Sequence, residues 1–229
     1  LGGTMKAAFD LTLVEKIIDN DPESIRFRNE LKIFISIYSV YLDLVEVRNT
    51  IDAYGNIQSG AFDSQISRAL LTHAVIIYCR ASHTKSRDRN SGGVTGAYSE
   101  DQMKEHNFIT NLRDKVFAHF GLGGGWNDER VILIKENDEF GIKAVHHRVN
   151  VDTEIFDKLR SLTDSSIPHV HKKIIDRVQP VFSALWKIPS SVVKLCPFDV
   201  DAFFEDPDDI KRFWSPEDFA SESTTLVVK

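Results

Sequence analysis

The chain has 229 residues, of which 42% are hydrophobic and 27% are charged. This composition is ordinary for a globular protein, and no apolar stretch approaches the roughly 18 to 20 residues that a membrane span requires. We therefore expect a cytoplasmic protein that makes no membrane contact. The formal net charge of −6 argues against broad nonspecific binding to nucleic acid, because phosphate affinity comes mainly from clustered lysine and arginine.

The length predicts one decorated domain with a substantial core. We expect this domain to span residues 5–196 and to be followed by an acidic, aromatic tail over residues 197–229. The residues before Met5 are interpreted as a vector-derived remnant, with translation starting at Met5. The two cysteines, Cys79 and Cys196, fit neither a disulfide framework nor a metal site, so we expect both to be structural.

The first predicted element is a long amphipathic helix that starts at Asp21-Pro22 and ends near Gly55. An Asp that can cap the helix, followed by Pro at the first helical position, is typical of a helix start. Apolar residues then recur at steps of three and four, at Phe27, Leu31, Phe34, Ile35, Tyr38, Leu42 and Val45. Asp43 and Glu46 on this helix are expected to be solvated.

A second helix is predicted after Gly60. From Ala69 to Ala81 it is apolar nearly all round, which indicates a central helix packed on several sides. His73 in this stretch is expected to be a core histidine, hydrogen-bonded to a buried partner.

The next helix is predicted to begin at Ser99-Glu100-Asp101-Gln102, which is a capping-box pattern. Its buried stripe is predicted to comprise Ile109, Leu112, Val116 and Phe120, with Gly121 as the C-terminal cap. The glycines of residues 121–125 are interpreted as this cap and a connector, because a phosphate-binding loop follows a strand rather than a helix.

Between about residues 130 and 149 the period changes, and two apolar segments, 131–134 and 140–145, flank the polar Glu136-Asn137-Asp138-Glu139, which predicts a β-hairpin. Helical spacing returns from Asp152, and Pro168 and Pro180 are expected to break or kink that helix. The tail after Pro197 alternates acidic and aromatic residues, and we expect it to pack along the bundle. The fold class is therefore mainly α, a helical bundle with an inserted β-hairpin and an irregular acidic C-terminal tail.

One basic segment stands out against the acidic background. Only Asp88 opposes its cations, which are Arg80, Lys85, Arg87 and Arg89. A solvated loop is one interpretation, and a grip on a phosphate backbone is the other. Arg80 ends the central helix and can extend a phosphate track toward Arg113.

Arg113-Asp114-Lys115-Val116-Phe117-Ala118-His119 is the segment with the clearest chemistry, because it combines a permanent cation and an imidazole near a helix end. A guanidinium binds phosphate through a planar fork of donors, and an imidazole transfers protons near neutral pH. The helix macrodipole is expected to favour protonated His119, so we expect it to titrate around neutrality. Arg68 and His73 show a similar spacing, but Arg68 is followed by an apolar run.

Six positions on a regular helix rotate by about 240° and rise by about 9 Å, so Arg113 and His119 do not share a face. Either the helix unwinds at Gly121, or a two-fold dimer brings Arg113 of one copy beside His119 of the other. The alternative is purely structural, with Arg113 paired to Asp101, Asp114 or Glu105 and His119 capping the helix.

Residues 111–119, together with the preceding helix over residues 69–80, resemble the HEPN superfamily, and especially its abortive-infection relatives. The signature of that superfamily is an Arg, a polar residue, a few further positions and a His, here Arg113, Asp114 and His119. The sequence departs from the pattern after the His, where Phe120 and Gly121 leave no downstream Tyr for AMPylation. The resemblance covers the helical part of the chain but neither the hairpin nor the tail.

The resemblance implies a dimeric, metal-independent endoribonuclease that acts as a toxin or in antiviral defence. The 2′-hydroxyl of RNA would attack the adjacent phosphate, leaving a 2′,3′-cyclic phosphate, and no cofactor would be needed. Arg113 would hold the phosphate, His119 would act as acid or base, and Asp114 would orient one of them. Expected partners are RNA, a second copy of the chain and an antitoxin or regulatory protein, and the RNA-binding residues would be Arg80, Lys85, Arg87, Arg89 and Lys115. The rival hypothesis is a non-catalytic helical module that binds a partner protein or a nucleotide.

No metal site is expected. His146-His147 and His169-Val170-His171 lack a Cys or carboxylate at a recognisable ligand spacing. Adjacent histidines on a strand also point to opposite faces of the sheet.

Overall fold

The computed structural model describes residues 7–58, 64–83, 93–114, 127–136, 139–148 and 153–215. Within these ranges the chain is mainly helical with one two-stranded antiparallel sheet, which confirms the predicted fold class. The helices are α1 (Leu11–Ile17), α2 (Pro22–Gln58), α3 (Ser64–Ser82), α4 (Glu100–Leu112), α5 (Thr153–Leu185), α6 (Ser190–Val193), α7 (Val200–Phe203) and α8 (Pro207–Phe213), with a 3₁₀ helix at Val94–Ala97 before α4. Among these helices, none is long and apolar enough to span a bilayer.

The chain divides into two compact units, one formed by residues 1–38 and 171–229 and the other by residues 39–170. The boundaries between the units fall inside α2 and α5. The predicted division at residues 196 and 197 stays a prediction.

In the first unit, α1 packs on the start of α2 and the end of α5. The apolar core of this unit comprises Val14, Ile18, Phe27, Leu31, Val181, Ala184, Ile188 and Cys196. Two predicted features are confirmed here: α2 begins at Pro22, and the Asp21 side chain accepts hydrogen bonds from the backbone N–H groups of Glu23 and Ser24. The sequence analysis did not predict α1, whose N-terminal cap is Asp10.

The chain after Pro197 packs within this first unit rather than extending away from it. Phe9 and Pro197 form an antiparallel bridge, and the N–H of Phe198 donates to the carbonyl of Ala8 at 2.9 Å. Five aromatic rings then contact one another in sequence, those of Phe198, Phe203, Phe204, Phe213 and Trp214. The tail is therefore not irregular up to residue 215, because α7 and α8 are each started by an aspartate cap, at Asp199 and Asp206.

In the second unit, parts of α2 and α5 pack with α3 and α4. The largest fully buried side chains of this unit are those of Val40, Leu44, Val47, Val75, Tyr78, Ile109, Ile155, Leu159 and Leu162. The rings of Tyr54 and Phe156 stack at 3.9 Å between centroids, which joins α2 to α5. The predicted capping box is confirmed, because Ser99 and Gln102 exchange side-chain and backbone hydrogen bonds at the start of α4.

α5 continues through both prolines, so of the predicted breaks or kinks neither proline makes a break. It runs unbroken from Thr153 to Leu185 with Pro168 and Pro180 inside it. A proline within a helix removes one hydrogen bond and costs about 3 kcal/mol. The buried stripe of α5, with Leu159, Leu162, Val170 and Ile174 almost fully buried, outweighs that cost.

The β-hairpin is confirmed as β1 (Asn127–Glu136) and β2 (Glu139–Arg148). Val131 faces Ala144 and Leu133 faces Ile142 across the pair. These apolar side chains stay exposed, with Val131 and Ile142 each 75% accessible. The apolar segments that predicted the strands are therefore largely exposed where their side chains are described.

Asp43 on α2 is buried, which corrects the expectation that it is solvated. Its carboxylate accepts two hydrogen bonds from Arg80 on α3, from Nε at 2.9 Å and from Nη2 at 2.5 Å. A two-point pairing of this kind gives both energy and orientation. Sequence spacing did not reveal it, because the two partners lie 37 positions apart.

The Asp43→Ala variant is expected to lower the free energy of unfolding by about 1 to 3 kcal/mol, because charged hydrogen bonds to a buried carboxylate are lost. Asp52→Ala is the matched control, since Asp52 lies on the same helix and pairs with Arg160 at 2.7 Å but is exposed. Its cost is expected to stay below about 1 kcal/mol. Urea unfolding of both variants measures the difference, and equal costs would contradict the assigned role of burial.

Candidate functional site

Arg113 lies at the C-terminal end of α4, directly beside Asp114. Its backbone N–H donates to the carbonyls of Ile109 and Thr110, and its Nη1 donates to Asp114 Oδ1 at 2.6 Å. The hydrogen bond and the charge of Asp114 raise the pKa of Arg113. Both side chains are partly exposed, at 40% and 45%, so the guanidinium still presents donors to solvent.

The α-helical part of α4 is described from Glu100 to Leu112, and residues 113 and 114 continue it in a wider π-type turn. Such turns are frequent at functional sites because they re-aim side chains out of the regular helical register. Four expected features lie outside the described residues: His119, Lys115, the end of the buried stripe and the cap at Gly121. The Arg113–His119 pairing therefore stays a prediction.

The ion pair of Arg113 and Asp114 fits both hypotheses that the sequence left open. It is the pairing that the purely structural hypothesis predicts, and it is also the orienting contact expected of Asp114 in the catalytic hypothesis. Of the three candidate carboxylates, Asp101 pairs instead with Lys104 at 2.7 Å. What favours a role in binding is the exposure of the guanidinium, because the carboxylate contacts only one edge of the fork.

Cys79 on α3 is the buried neighbour of this pair. Its Sγ lies 3.9 Å from the carbonyl of Ile109, and burial raises the pKa of its thiol to about 12. Arg113 lowers that pKa and Asp114 raises it, which places both charges within electrostatic reach of the sulfur. The expectation that Cys79 is structural agrees with its burial, since a reactive thiol needs a lowered pKa.

One to two turns before Arg113, α4 joins α3 through a buried polar cluster that sequence analysis missed. We call Tyr78, Tyr98 and His106 the tyrosine–histidine cluster. The Tyr78 hydroxyl shares hydrogen bonds with His106 Nδ1 at 2.8 Å and with the Tyr98 hydroxyl at 3.0 Å. Burial raises the pKa of both tyrosines. Burial, with a smaller contribution from His83, lowers the pKa of His106.

The cluster makes stability depend on pH. Because the folded-state pKa of His106 lies below the ordinary value of 6.5, the unfolded chain takes up this proton first as the pH falls. The contribution is complete above about pH 6.5 and is lost as the pH falls from there toward the folded-state pKa.

His106→Gln is therefore expected to flatten the fall of unfolding free energy between about pH 7.5 and pH 5.5. Urea unfolding at several pH values measures this slope. Asn107→Gln, an exposed substitution on the same helix, is the control and should keep the wild-type slope. An unchanged slope in His106→Gln would contradict the assignment.

The other predicted RNA-binding residues divide between the described and the remaining parts of the chain. Lys85, Arg87 and Arg89 lie outside the described residues, as Lys115 does. Arg80 is described, and its guanidinium is bound by Asp43 on α2. Asp43 holds the Nε and one Nη of that group, so any phosphate has to bind the remaining edge. The RNA-binding role of these residues stays a prediction.

α3 has one outer face that is open to solvent, although the sequence predicted a stretch that is apolar nearly all round and packed on several sides. Its exposed residues are Gln65, Ile66, Ala69, His73, Ile76 and Arg80. His73 is thus not a core histidine, and its Nε2 lies 3.2 Å from Glu46 Oε1 on α2. The error arose because apolar residues such as Ile76 lie on both faces of the helix, so composition alone did not distinguish them.

Among the described residues, no cluster of three or more His, Cys, Asp or Glu side chains could hold a metal ion. The side chains of His146 and His147 fall outside the described set. Comparisons with known proteins gave no matching family model, no similar curated protein and no similar solved structure.

Proposed function

We propose that the protein is a metal-independent endoribonuclease of the HEPN type, acting as a toxin or in antiviral defence. The observation that carries the proposal is the partly exposed Arg113 guanidinium at the end of α4, fixed on one edge by Asp114. The resemblance of residues 111–119 to the superfamily signature and the mainly helical fold support it.

In this proposal the free edge of Arg113 binds the scissile phosphate and stabilises the charge that develops on its oxygens. Asp114 restricts the guanidinium to one orientation, so less rotamer entropy is lost when the phosphate binds. His119 acts as acid or base on the attacking 2′-hydroxyl or the leaving oxygen. His119 is assigned to a second copy of the chain, because a two-fold dimer can bring Arg113 of one copy beside His119 of the other.

The direct test substitutes Arg113→Ala and His119→Ala separately and measures cleavage of single-stranded RNA in EDTA. Each variant is expected to lose about a hundredfold or more in rate, because phosphate stabilisation and proton transfer each contribute about that much. Arg26→Ala, an exposed arginine on α2, is the charge-matched control. Undiminished cleavage in both site variants would end the proposal.

Mixing the two inactive variants tests the dimer separately. A mixed dimer holds one intact site, made from Arg113 of one chain and His119 of the other, so an equal mixture should recover about a quarter of wild-type activity. Recovery in the mixture would place the site between two copies. An inactive mixture, with dimers demonstrated by light scattering, would restrict the site to one chain.

A further inference from the structure

The outer face of α3 carries an open groove that the ribonuclease proposal does not use. The groove measures about 550 Å³. This volume lies within the range typical of small-molecule sites. It is lined by Gln65, Arg68, Ala69, Thr72, His73 and Ile76. Their spacing of three and four residues places them along one side of α3. The side chains of Leu71, Val75 and Tyr78 are buried on the other side.

Arg68 supplies the charge at one end of this groove. Arg48, Arg80 and Arg113 are all held by carboxylates, whereas Arg68 makes no ion pair with any residue that the structure describes. The Thr72 hydroxyl, one helical turn further on the same face, donates to the Arg68 backbone carbonyl at 2.9 Å. An unengaged guanidinium beside the Gln65 amide is suited to a phosphate group.

His73 lies between Arg68 and Ile76 along the helix axis, and Glu46 on α2 orients its ring. Its Nε2 hydrogen-bonds to Glu46 Oε1, and a carboxylate acceptor fixes the tautomer in which Nε2 carries the proton. Nδ1 of the neutral ring is then the acceptor. A sugar hydroxyl is a donor that fits such an acceptor.

Apolar surface follows at the other end. Ile76 is 41% exposed and lies about 12 Å along the helix axis from Arg68. Ala69 leaves space between the turns because its side chain is a single methyl group. Along α3 the groove therefore presents, in order, a cation, a hydrogen-bond acceptor and an apolar surface.

This order matches a phosphate, a ribose and a base. We propose that the α3 groove binds one ribonucleotide unit, with its phosphate on Arg68, a ribose hydroxyl on His73 and its base against Ile76. The proposed site uses neither Arg113 nor His119 and does not depend on cleavage. The same unit can come from a free nucleoside monophosphate or from the phosphorylated end of an RNA chain.

Titration calorimetry of the full chain with 5′-AMP tests the proposal, with inorganic phosphate and adenosine as partial ligands. AMP is expected to bind saturably and more tightly than either part. Arg68→Ala should weaken AMP binding by about tenfold to a hundredfold, because charged hydrogen bonds to the phosphate are lost. Arg68→Lys keeps the charge but not the fork, and should weaken it less. Arg26→Ala is again the charge-matched control, and thermal unfolding verifies that each variant is folded.

Absence of AMP binding by the wild-type chain at millimolar concentration would overturn the proposal. Equal weakening in Arg68→Ala and Arg26→Ala would do the same, since it indicates nonspecific charge attraction. If inorganic phosphate bound as tightly as AMP, the proposed contacts to the ribose and the base would be contradicted. A 5′-phosphorylated tetraribonucleotide identifies the source: Arg68-dependent binding tighter than that of AMP points to RNA ends, and weaker binding points to the free nucleotide. Because none of these readouts involves cleavage, the groove and the ribonuclease proposal succeed or fail separately.

Discussion

The packing of α3 against α4 is the contact on which the candidate chemistry depends. Tyr78 of α3 is almost fully buried and shares a hydrogen bond with His106 of α4. Ile109, one turn further along α4, is equally buried and offers its carbonyl to Cys79. These contacts fix the height and rotation of the last turn of α4, and that turn decides where the Arg113 guanidinium emerges. A displaced α3 would move both the arginine and the groove on the opposite face.

The arginines of the second unit fall into two classes, those that join helices and those that can bind a ligand, according to their electrostatic partners. Arg80 and Arg48 are structural, because Asp43 and Asp164 join each of them to another helix. Within the described residues, the Arg113 guanidinium pairs only with its sequence neighbour, so it joins no second element there. An arginine that joins no two elements can bind a ligand without breaking a contact that stabilises the fold. The same reasoning applies more strongly to Arg68.

Local signals in the sequence predicted the features that depend on neighbouring residues. The Asp21-Pro22 start of α2 and the Ser99–Gln102 capping box require contacts only a few positions apart, and the hairpin joins two strands that follow each other in the chain. A break at Pro168 or Pro180 was the part of the α5 prediction that was wrong, because the packing that offsets a proline comes from other helices. The pairing of Asp43 with Arg80 and the Tyr78–His106 contact also join distant positions, and neither has a sequence signature. In the candidate site, Arg113 and Asp114 could be singled out from their order alone, whereas the open face of α3 needed the packed structure.

The hairpin has a consequence for the behaviour of the chain in concentrated solution. A ribbon of two strands is only marginally stable by itself, and within the described residues neither outer edge of β1 or β2 is paired with a third strand. The exposed side chains of Val131, Leu133 and Ile142 form an apolar surface beside those unpaired backbone groups. Open edges next to apolar side chains recruit strands from other molecules, so this ribbon is the part of the described chain most prone to seed aggregation.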